Sequence, residues 1–274
     1  MTALTAYVNG IGLLGPGFSD WPSSIPVLTG GTPYVPQPTL LPTPAALPPA
    51  ERRRTGTVVK LALAVGFEAT SRAEVDPSTL TTVFSSSGGD GPNCHEICEV
   101  LASSDRQLSP TRFHNSVHNA SAGYWSIATG ATPASNAICA FDASFAAGLL
   151  EALALIAVER SGVLLVAYDA SYPEPLRSKR PIRDSFAVAL VLTPSINSGA
   201  LENGRSWARL SATVVEAKTD PPGARMPESE LEALRSAIPA ARSLPLLRRL
   251  ARREPGPALL DYLDAQWVAV EVSF

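Results

Sequence analysis

ASNAICAFDASFAAGLLEALALIAVERSGVLLVAYD, residues 134–169, contains a short strand, a long apolar helix and a fully apolar strand in immediate succession. The helix is apolar on nearly every side, which is typical of a helix buried against a sheet. Strand, buried helix and apolar strand in this order form a βαβ unit. The stretch therefore predicts an α/β protein with a largely parallel sheet and helices on both faces.

The alternation of strands and helices continues on both sides of this unit. Predicted strands cover 6–15, 81–87, 185–193, 206–216 and the C-terminal QWVAVEVSF, and predicted helices cover 55–72, 92–102, 119–129, 228–238 and 243–253. Residues 20–49 are so rich in Pro, Gly, Ser and Thr that we expect an extended loop there.

Composition restricts the class of protein. A chain of 274 residues with 45% hydrophobic residues and a net charge of −3 can bury a large core and offers no general surface for nucleic acid. The apolar run 143–158 is too short for a membrane span and contains Glu151. Three cysteines at no framework spacing, and an N-terminus without a signal-peptide pattern, predict a cytoplasmic protein.

The turn into the helix falls at Asp142, which allows two opposite interpretations. Asp is among the best residues for capping a helix N-terminus. Alternatively, AFDAS resembles the small-x-nucleophile-x-small elbow of hydrolases, so that Asp142, or the nearby Cys139, would serve a free-standing acyl-transfer or hydrolytic enzyme. Such an elbow needs a histidine base after the nucleophile, yet His95, His114 and His118 all precede it.

A second constellation consists of Cys94 and Cys98 followed by His114 and His118. C-x3-C followed by H-x3-H is close to the spacing of a structural zinc site. This pattern allows a zinc-stabilised interaction module. Against it, the four residues lie within a continuous α/β pattern, where buried thiols and hydrogen-bonded loop histidines are the ordinary alternative.

Three motifs in their order resemble β-ketoacyl synthases: YVNGIGLLGPG (7–17), VFSSSGGDG (83–91) and NASAGYWSIATGATPASNAICAFDASFAAGLLEAL (119–153). The stretch SPTRFHNSVHNASAGYWSIATG (109–130) is more particular, because it looks like the ketosynthase-like chain length factors of bacterial aryl-polyene and xanthomonadin-type pigment clusters. The resemblance covers roughly residues 5–195. It implies a layered, thiolase-like fold of the α-β-α-β-α type.

Carried onto this sequence, the family's active cysteine falls on Asp142, and Cys139 lies within the preceding strand. A carboxylate cannot form the acyl thioester that a thiolate forms. The family's two further catalytic groups, usually histidines, lie in the C-terminal half, and here no histidine follows His118. The resemblance therefore implies a subunit without catalytic residues.

The same resemblance implies two regions: residues 1–195 as a complete N-terminal thiolase half, and 196–274 as a short, degenerate C-terminal region. Chain length factors pair with an active ketosynthase and shape the acyl tunnel in type II fatty-acid or polyketide synthesis. We therefore expect a ketosynthase partner, an acyl carrier protein, no nucleic acid, no membrane span and no cofactor.

In this hypothesis the strand 135–141 pairs with the partner subunit across the dimer interface. Candidates for the tunnel or the interface are Phe113, His114, Asn115, His118, Asn119, Tyr124, Phe141 and Phe145. The aromatic members of this set could equally be core residues, and the polar members are more typical of side chains that fix a loop by hydrogen bonds than of catalytic groups. Basic residues that could receive an acidic carrier protein are Arg177, Lys179, Arg180 and Arg183. Such small groups of charge are usually solvated surface, and the same two interpretations apply to ERRR at 51–54.

Overall fold

Eight strands form one mixed sheet in the computed structural model, which describes residues 3–195, 208–216 and 224–274. The strands are β1 (Leu4–Leu14), β2 (Thr81–Ser85), β3 (Ser135–Ile138), β4 (Val163–Asp169), β5 (Phe186–Thr193), β6 (Ala208–Glu216), β7 (Gly256–Asp261) and β8 (Gln266–Ser273). Their spatial order is β3-β2-β4-β5-β1-β6-β8-β7. Strand β3 is therefore one edge of the sheet and β7 the other.

The helices are α1 (Trp21–Thr29), α2 (Pro49–Arg52), α3 (Thr57–Ala73), α4 (Gly91–Ala102), α5 (Pro110–His114), α6 (Ala120–Thr129), α7 (Ser144–Glu159), α8 (Leu176–Lys179), α9 (Ser229–Ala237) and α10 (Leu244–Arg252). Short 3₁₀ turns lie at Pro77–Thr79, Phe141–Ala143 and Pro239–Ser243. Each helix and strand predicted within the described residues is present, with ends that shift by a few residues. Strand β7 and the helices α1, α2, α5 and α8 were not predicted.

The prediction of a largely parallel sheet is wrong. Only the pairs β2–β3 and β2–β4 are parallel, whereas the other five pairs are antiparallel. The βαβ unit itself is present, since β3 and β4 run parallel on either side of β2 and α7 connects them. The antiparallel pairs need no such crossover; β7 and β8, for example, are joined by the short connection 262–265.

Two hydrophobic cores cover the two faces of the sheet. One is built around α7, with α1, α9 and α10 beside it. The other lies under α3 and α6. The α/β class is confirmed, and strands β6, β8 and β7 extend the sheet beyond β1.

Helix α7 is the central helix of its core. Together with the preceding turn, Phe141–Glu159 spans 19 residues with a mean hydropathy of 1.8, and within the described residues this stretch alone is long and apolar enough to cross a membrane. Phe145, Leu149 and Leu153 are nevertheless fully buried against the sheet. We interpret the stretch as a core helix, as its composition predicted.

Strand β1 and helix α3 approach so closely that two positions of the strand must be glycine. A Cβ atom added to Gly12 would lie 2.1 Å from the Val65 carbonyl oxygen, and one added to Gly10 would lie 2.1 Å from that of Ala69. Such contacts are far inside the van der Waals limit. These glycines let the central strand lie directly on the helix backbone.

The segment 20–49 differs from the extended loop that its composition predicted. Residues Trp21–Thr29 form α1, because the Asp20 carboxylate accepts the Ser23 N–H at 2.8 Å and Gly30 ends the helix in the left-handed region at φ +83°. Of the rest, residues 33–44 have neither helix nor strand, and a turn at 45–47 leads into α2. The capping signals of α1 were present in the sequence, but the prediction gave more weight to the proline and glycine content of the segment.

Candidate functional site

The carboxyl ends of the parallel strands β3, β2 and β4 lie side by side at one end of the sheet. The turn predicted to hold the nucleophile follows β3 at this end. In this turn Phe141 has a left-handed backbone at φ +52°. Ser144 holds the turn closed, since its hydroxyl donates to the Phe141 carbonyl at 2.7 Å and accepts the Ala140 N–H at 3.1 Å. The Phe141 side chain is 64% exposed and projects from the surface.

Asp142 does not cap α7, so that interpretation is wrong: the N-cap position is Ala143, and no side chain caps the helix. The Asp142 carboxylate instead accepts hydrogen bonds from two arginines. Arg180 Nη2 lies 2.6 Å from Oδ1, and Arg242 Nη2 lies 2.9 Å from Oδ2. Both arginine side chains are mostly buried, at 17% and 19% exposure. Each carboxylate oxygen thus has its own cation.

The ion pairs extend from Asp142 into the C-terminal part of the chain. Arg242 Nη1 is 3.4 Å from Asp261 Oδ1, and Arg235 Nη1 is 2.6 Å from Asp261 Oδ2. Arg235 also binds Glu232 through two hydrogen bonds of 2.7 Å each. We call the series Arg180, Asp142, Arg242, Asp261, Arg235 and Glu232 the charge chain. It alternates in sign and joins the turn before α7 to α9, to the 3₁₀ turn after it and to β7.

Arg180 has a second partner at the surface. Its guanidinium carbon lies 3.7 Å from the centre of the Phe141 ring, close enough for a cation–π contact. The side chain therefore links the charge chain to the exposed ring. Because Asp142 and Phe141 both fix Arg180, this arginine is not a free surface cation.

A buried carboxylate lies at the same end of the sheet. Asp169, at the end of β4, accepts the Ser87 N–H at 2.9 Å, the Ser87 hydroxyl at 2.6 Å and the Ala240 N–H at 2.8 Å. Burial raises the pKa of Asp169 to about 6, although these hydrogen bonds lower it. The residue ties the end of β2 and the end of β4 to the C-terminal 3₁₀ turn.

The predicted polar candidates fix the loops around α5 and α6. Asn115 is buried, donates to the Arg54 carbonyl at 2.7 Å and accepts the Tyr124 hydroxyl at 3.1 Å. His118 Nε2 lies 3.2 Å from the Ser86 carbonyl oxygen, and the exposed ring of His114 packs edge-on against Tyr124. Asn119 precedes α6 without a side-chain cap.

The aromatic candidates separate into two groups. Tyr124 and Phe145 are each 1% exposed and belong to the two cores. Phe113 and Phe141 are exposed and lie on α5 and on the turn before α7. Only the second group presents an apolar ring to a partner.

The zinc alternative does not assemble. Within residues 3–195, 208–216 and 224–274, no three side chains of His, Cys, Asp or Glu are grouped to hold a metal. Cys94 and Cys98 are exposed thiols on α4, while His118 contacts Ser86 and His114 packs against Tyr124. The cysteine pair and the histidine pair therefore lie in separate local environments.

Cys139 lies three positions before Asp142, immediately after β3. Its thiol donates to the Ser87 carbonyl at 3.2 Å. The third histidine, His95, pairs with Glu99 on α4 at 3.3 Å. Among the contacts of the described residues, no histidine reaches either Cys139 or Asp142, so neither has the base that a nucleophile needs.

The basic loop divides in the same way. Arg177, Lys179 and Arg183 are exposed, and Arg177 pairs with Glu174 at 2.9 Å. Arg180 is the exception, since it is bound by Asp142. At 51–54, Arg54 pairs with Glu51, and Arg52 donates to the Ala45 and Leu47 carbonyls.

Sequence reasoning missed Arg242, Asp261, Arg235, Glu232 and Asp169. For Asp169 a signal existed, because it directly follows an apolar strand at the carboxyl end of the parallel strands, where polar site residues collect. The other four lie 90 or more positions beyond Asp142. No spacing rule relates them to it.

This sheet, with a buried helix beginning at a turn that follows an edge strand, defines the class of thiolase-like ketosynthase folds. Residues 30–249 match the family model of the beta-ketoacyl synthase N-terminal domain. Because the match covers most of the chain, the chain belongs to this family. The ketosynthase resemblance predicted from the sequence motifs is confirmed.

Solved structures share the fold over nearly the whole chain. A chain from the ketosynthase ApeO in complex with its chain length factor ApeC, from Xenorhabdus doucetiae, is 24% identical with a TM-score of 0.71, covering 98% of this chain and 99% of that one. The ishigamide ketosynthase/chain length factor is 13% identical with a TM-score of 0.70, covering 98% and 99%.

A third similar structure is AntDE:AntF, a type II polyketide synthase acyl-carrier protein in complex with its ketosynthase bound to the hexaketide. It is 13% identical with a TM-score of 0.73, covering 99% of both chains. At these identities the likeness establishes the fold. No curated protein sequence matches this chain.

Proposed function

We propose that this protein is a non-catalytic, ketosynthase-like chain length factor that pairs with an active β-ketoacyl synthase and shapes its acyl tunnel in type II polyketide or fatty-acid synthesis, here of the aryl-polyene kind. The observation that carries the proposal is the double ion pair of Asp142. The family's nucleophile position holds a carboxylate whose two oxygens are bound by Arg180 and Arg242.

The chemistry of this position supports the proposal. A carboxylate held by two guanidinium groups is a poor nucleophile, and a mixed anhydride is not the thioester that condensation uses. The histidines are engaged with Glu99, Tyr124 and Ser86, on elements that precede the turn. A condensing enzyme would need to activate a thiol and to decarboxylate an extender unit, and among the contacts of the described residues no histidine reaches Cys139 or Asp142 to assist either step.

The surface around β3 supports a partner. β3 is an edge strand with Ser135 and Ala137 exposed, so its outer backbone groups can pair with a strand of another chain. The exposed ring of Phe113 supplies an aromatic anchor of the kind that dominates protein interfaces. We propose that the active ketosynthase pairs with this edge and that Phe141 reaches the shared tunnel.

The carrier-protein docking proposal rests on Arg177, Lys179 and Arg183, since Arg180 is engaged by Asp142. These cations lie on the loop that leads back from the turn side of the sheet to β5. Opposite charge speeds the encounter with an acidic protein. Reversing Arg183 to Glu should slow product formation at low salt more than at high salt.

The deciding experiment is a condensation assay with acyl- and malonyl-carrier protein. It compares this chain alone, the ketosynthase alone and the co-purified pair. Product from the pair only is the expected result, and Asp142→Ala in the pair should leave the rate nearly intact. Turnover by this chain alone would instead support the free-standing enzyme that uses Cys139 or Asp142.

Two variants test the interface and the tunnel separately. Ala137→Asp on β3 should abolish co-purification, whereas Leu263→Asp, an exposed position between β7 and β8 at the other edge, should not. Phe141→Ala should retain the pair and shift the product length. Unchanged product length with Phe141→Ala would contradict the tunnel role of that residue.

A further inference from the structure

A cavity of about 810 Å³ lies on the side of the sheet away from α7. One wall is the outer face of α3, and the other is the extended segment around Pro38–Ala46, which we call the proline strap. The volume is within the range of small-molecule sites, roughly 300–1,000 Å³. The turn at Asp142 leads into α7, on the opposite face, so this cavity is separate from the candidate site.

The α3 wall is an apolar stripe with a cation at each end. Lys60, Ala64 and Phe67 follow one another at helical spacing, and Arg72, five positions further on, also lines the cavity. Lys60 and Arg72 are 12 positions apart, or about 18 Å along the helix. The cavity therefore extends along about 18 Å of the helix, a length that suits an extended chain.

Only one end of this stripe offers a free charge. Arg72 Nε binds Glu68 Oε1 at 3.1 Å, and both Glu68 oxygens accept further N–H groups, from Leu13 at 2.9 Å and Trp21 at 2.7 Å. The Asp20 carboxylate accepts the Ser23 N–H. Lys60 has no ion pair within the described part of the chain. An anionic head group would find its cation at Lys60.

The proline strap is fixed at several points, so the cavity exists before a ligand arrives. Thr39 donates from its N–H to Asp184 Oδ2 at 3.2 Å and from its hydroxyl to the Ser185 carbonyl at 2.8 Å. Arg52 donates to the Ala45 and Leu47 carbonyls at 3.1 Å and 3.0 Å. Proline adds stiffness between these points. A preformed apolar wall lowers the entropic cost of binding.

We propose that this cavity binds a straight-chain carboxylate, with the chain lying between α3 and the proline strap and the carboxylate at Lys60. The inference is independent of the chain length factor proposal. It concerns the isolated chain and a cavity whose lining includes neither β3 nor Asp142.

The test is calorimetric titration of the full chain with dodecanoate, and with dodecanol as the uncharged probe. We expect saturable binding of one dodecanoate per chain, with dodecanol weaker by about fivefold, the value of a solvent-accessible ion pair. Lys60→Glu should weaken dodecanoate by at least that factor and leave dodecanol unchanged. Equal affinity for both probes in the unaltered protein would overturn the assignment of the carboxylate to Lys60.

Filling the cavity tests its location. Ala64→Trp, at a partly exposed position, should weaken dodecanoate about tenfold or more, whereas Ala233→Trp on the exposed face of α9 should not. Phe141→Ala, at the proposed tunnel, should also leave binding unchanged. Loss of binding in Phe141→Ala with retention in Ala64→Trp would place the ligand in the tunnel region and overturn the proposal, as would the absence of saturable binding.

Discussion

Asp142 and Arg242 stand 100 positions apart in the chain, and a 2.9 Å hydrogen-bonded ion pair joins their side chains. The pair connects the turn before α7 to the 3₁₀ turn before α10. The Asp142 carboxylate thus joins two segments that are distant in sequence and is the shared acceptor of two mostly buried arginines, Arg180 and Arg242.

Removing that anion should destabilise the protein. Asp142→Ala leaves Arg180 and Arg242 without their shared acceptor, and we expect a loss of roughly 1–3 kcal/mol in the free energy of unfolding, because hydrogen bonds to charged groups carry that magnitude and Asp142 is partly exposed. Urea unfolding measures it. Glu174→Ala, which breaks the exposed pair with Arg177, should cost less than about 1 kcal/mol. Equal losses in both variants would contradict a stabilising role of the charge chain.

Stability should depend on pH through Asp169. Burial raises the pKa of this carboxyl to about 6 in the folded protein, above its ordinary value of 3.8. The folded state therefore binds the proton more tightly, and this residue's contribution to stability is greatest at low pH and decreases as pH rises through about 6. Between pH 4.5 and 7.5 the change is about 2 kcal/mol.

Asp169→Asn isolates that contribution. The amide cannot titrate, and its NH₂ group meets N–H donors, so the variant is less stable at every pH. We expect the gap between the two proteins to be about 2 kcal/mol wider at pH 4.5 than at pH 7.5, as measured by urea unfolding at both values. A gap that stays constant or narrows at low pH would show that the pKa of Asp169 is not raised.

Close packing of β1 on α3 predicts a large effect from one methyl group. Gly12→Ala places a Cβ 2.1 Å from the Val65 carbonyl oxygen, which forces the helix and strand apart and should cost about 3 kcal/mol or more. Gly123→Ala is the matched control, because α6 leaves open space at that position, and it should stabilise the protein by about 0.5–1 kcal/mol. Thermal unfolding distinguishes the two. A Gly12→Ala protein as stable as the original would contradict the packing.

Phe141 holds a left-handed backbone that glycine adopts without strain. Both Phe141→Ala and Phe141→Gly lose the contact with Arg180, but only glycine relieves the backbone. We expect Phe141→Gly to be more stable than Phe141→Ala by about 1 kcal/mol in thermal unfolding. Should alanine prove the more stable, the turn would not have the conformation described here.

Periodicity and local signals determined much of this protein. The apolar run of α7 and the β-branched runs of β4 and β5 predict buried elements, because apolar side chains are removed from water in any fold that the chain adopts. The motifs from Tyr7 to Leu153 also identified the ketosynthase class. The absence of thiolate chemistry at Asp142 stays a prediction.

Tertiary structure decided the rest. Strand direction was mistaken because the antiparallel pairing of β5 with β4 and β1 depends on how segments distant in the sequence fold onto one another, which no local residue pattern encodes. The partners of Asp142 are Arg180 and Arg242, and a second carboxylate, Asp261, shares Arg242. Ion pairs form between side chains that meet in space. Only the fold brings Asp142 together with Arg180, 38 positions later, and with Arg242, 100 positions later.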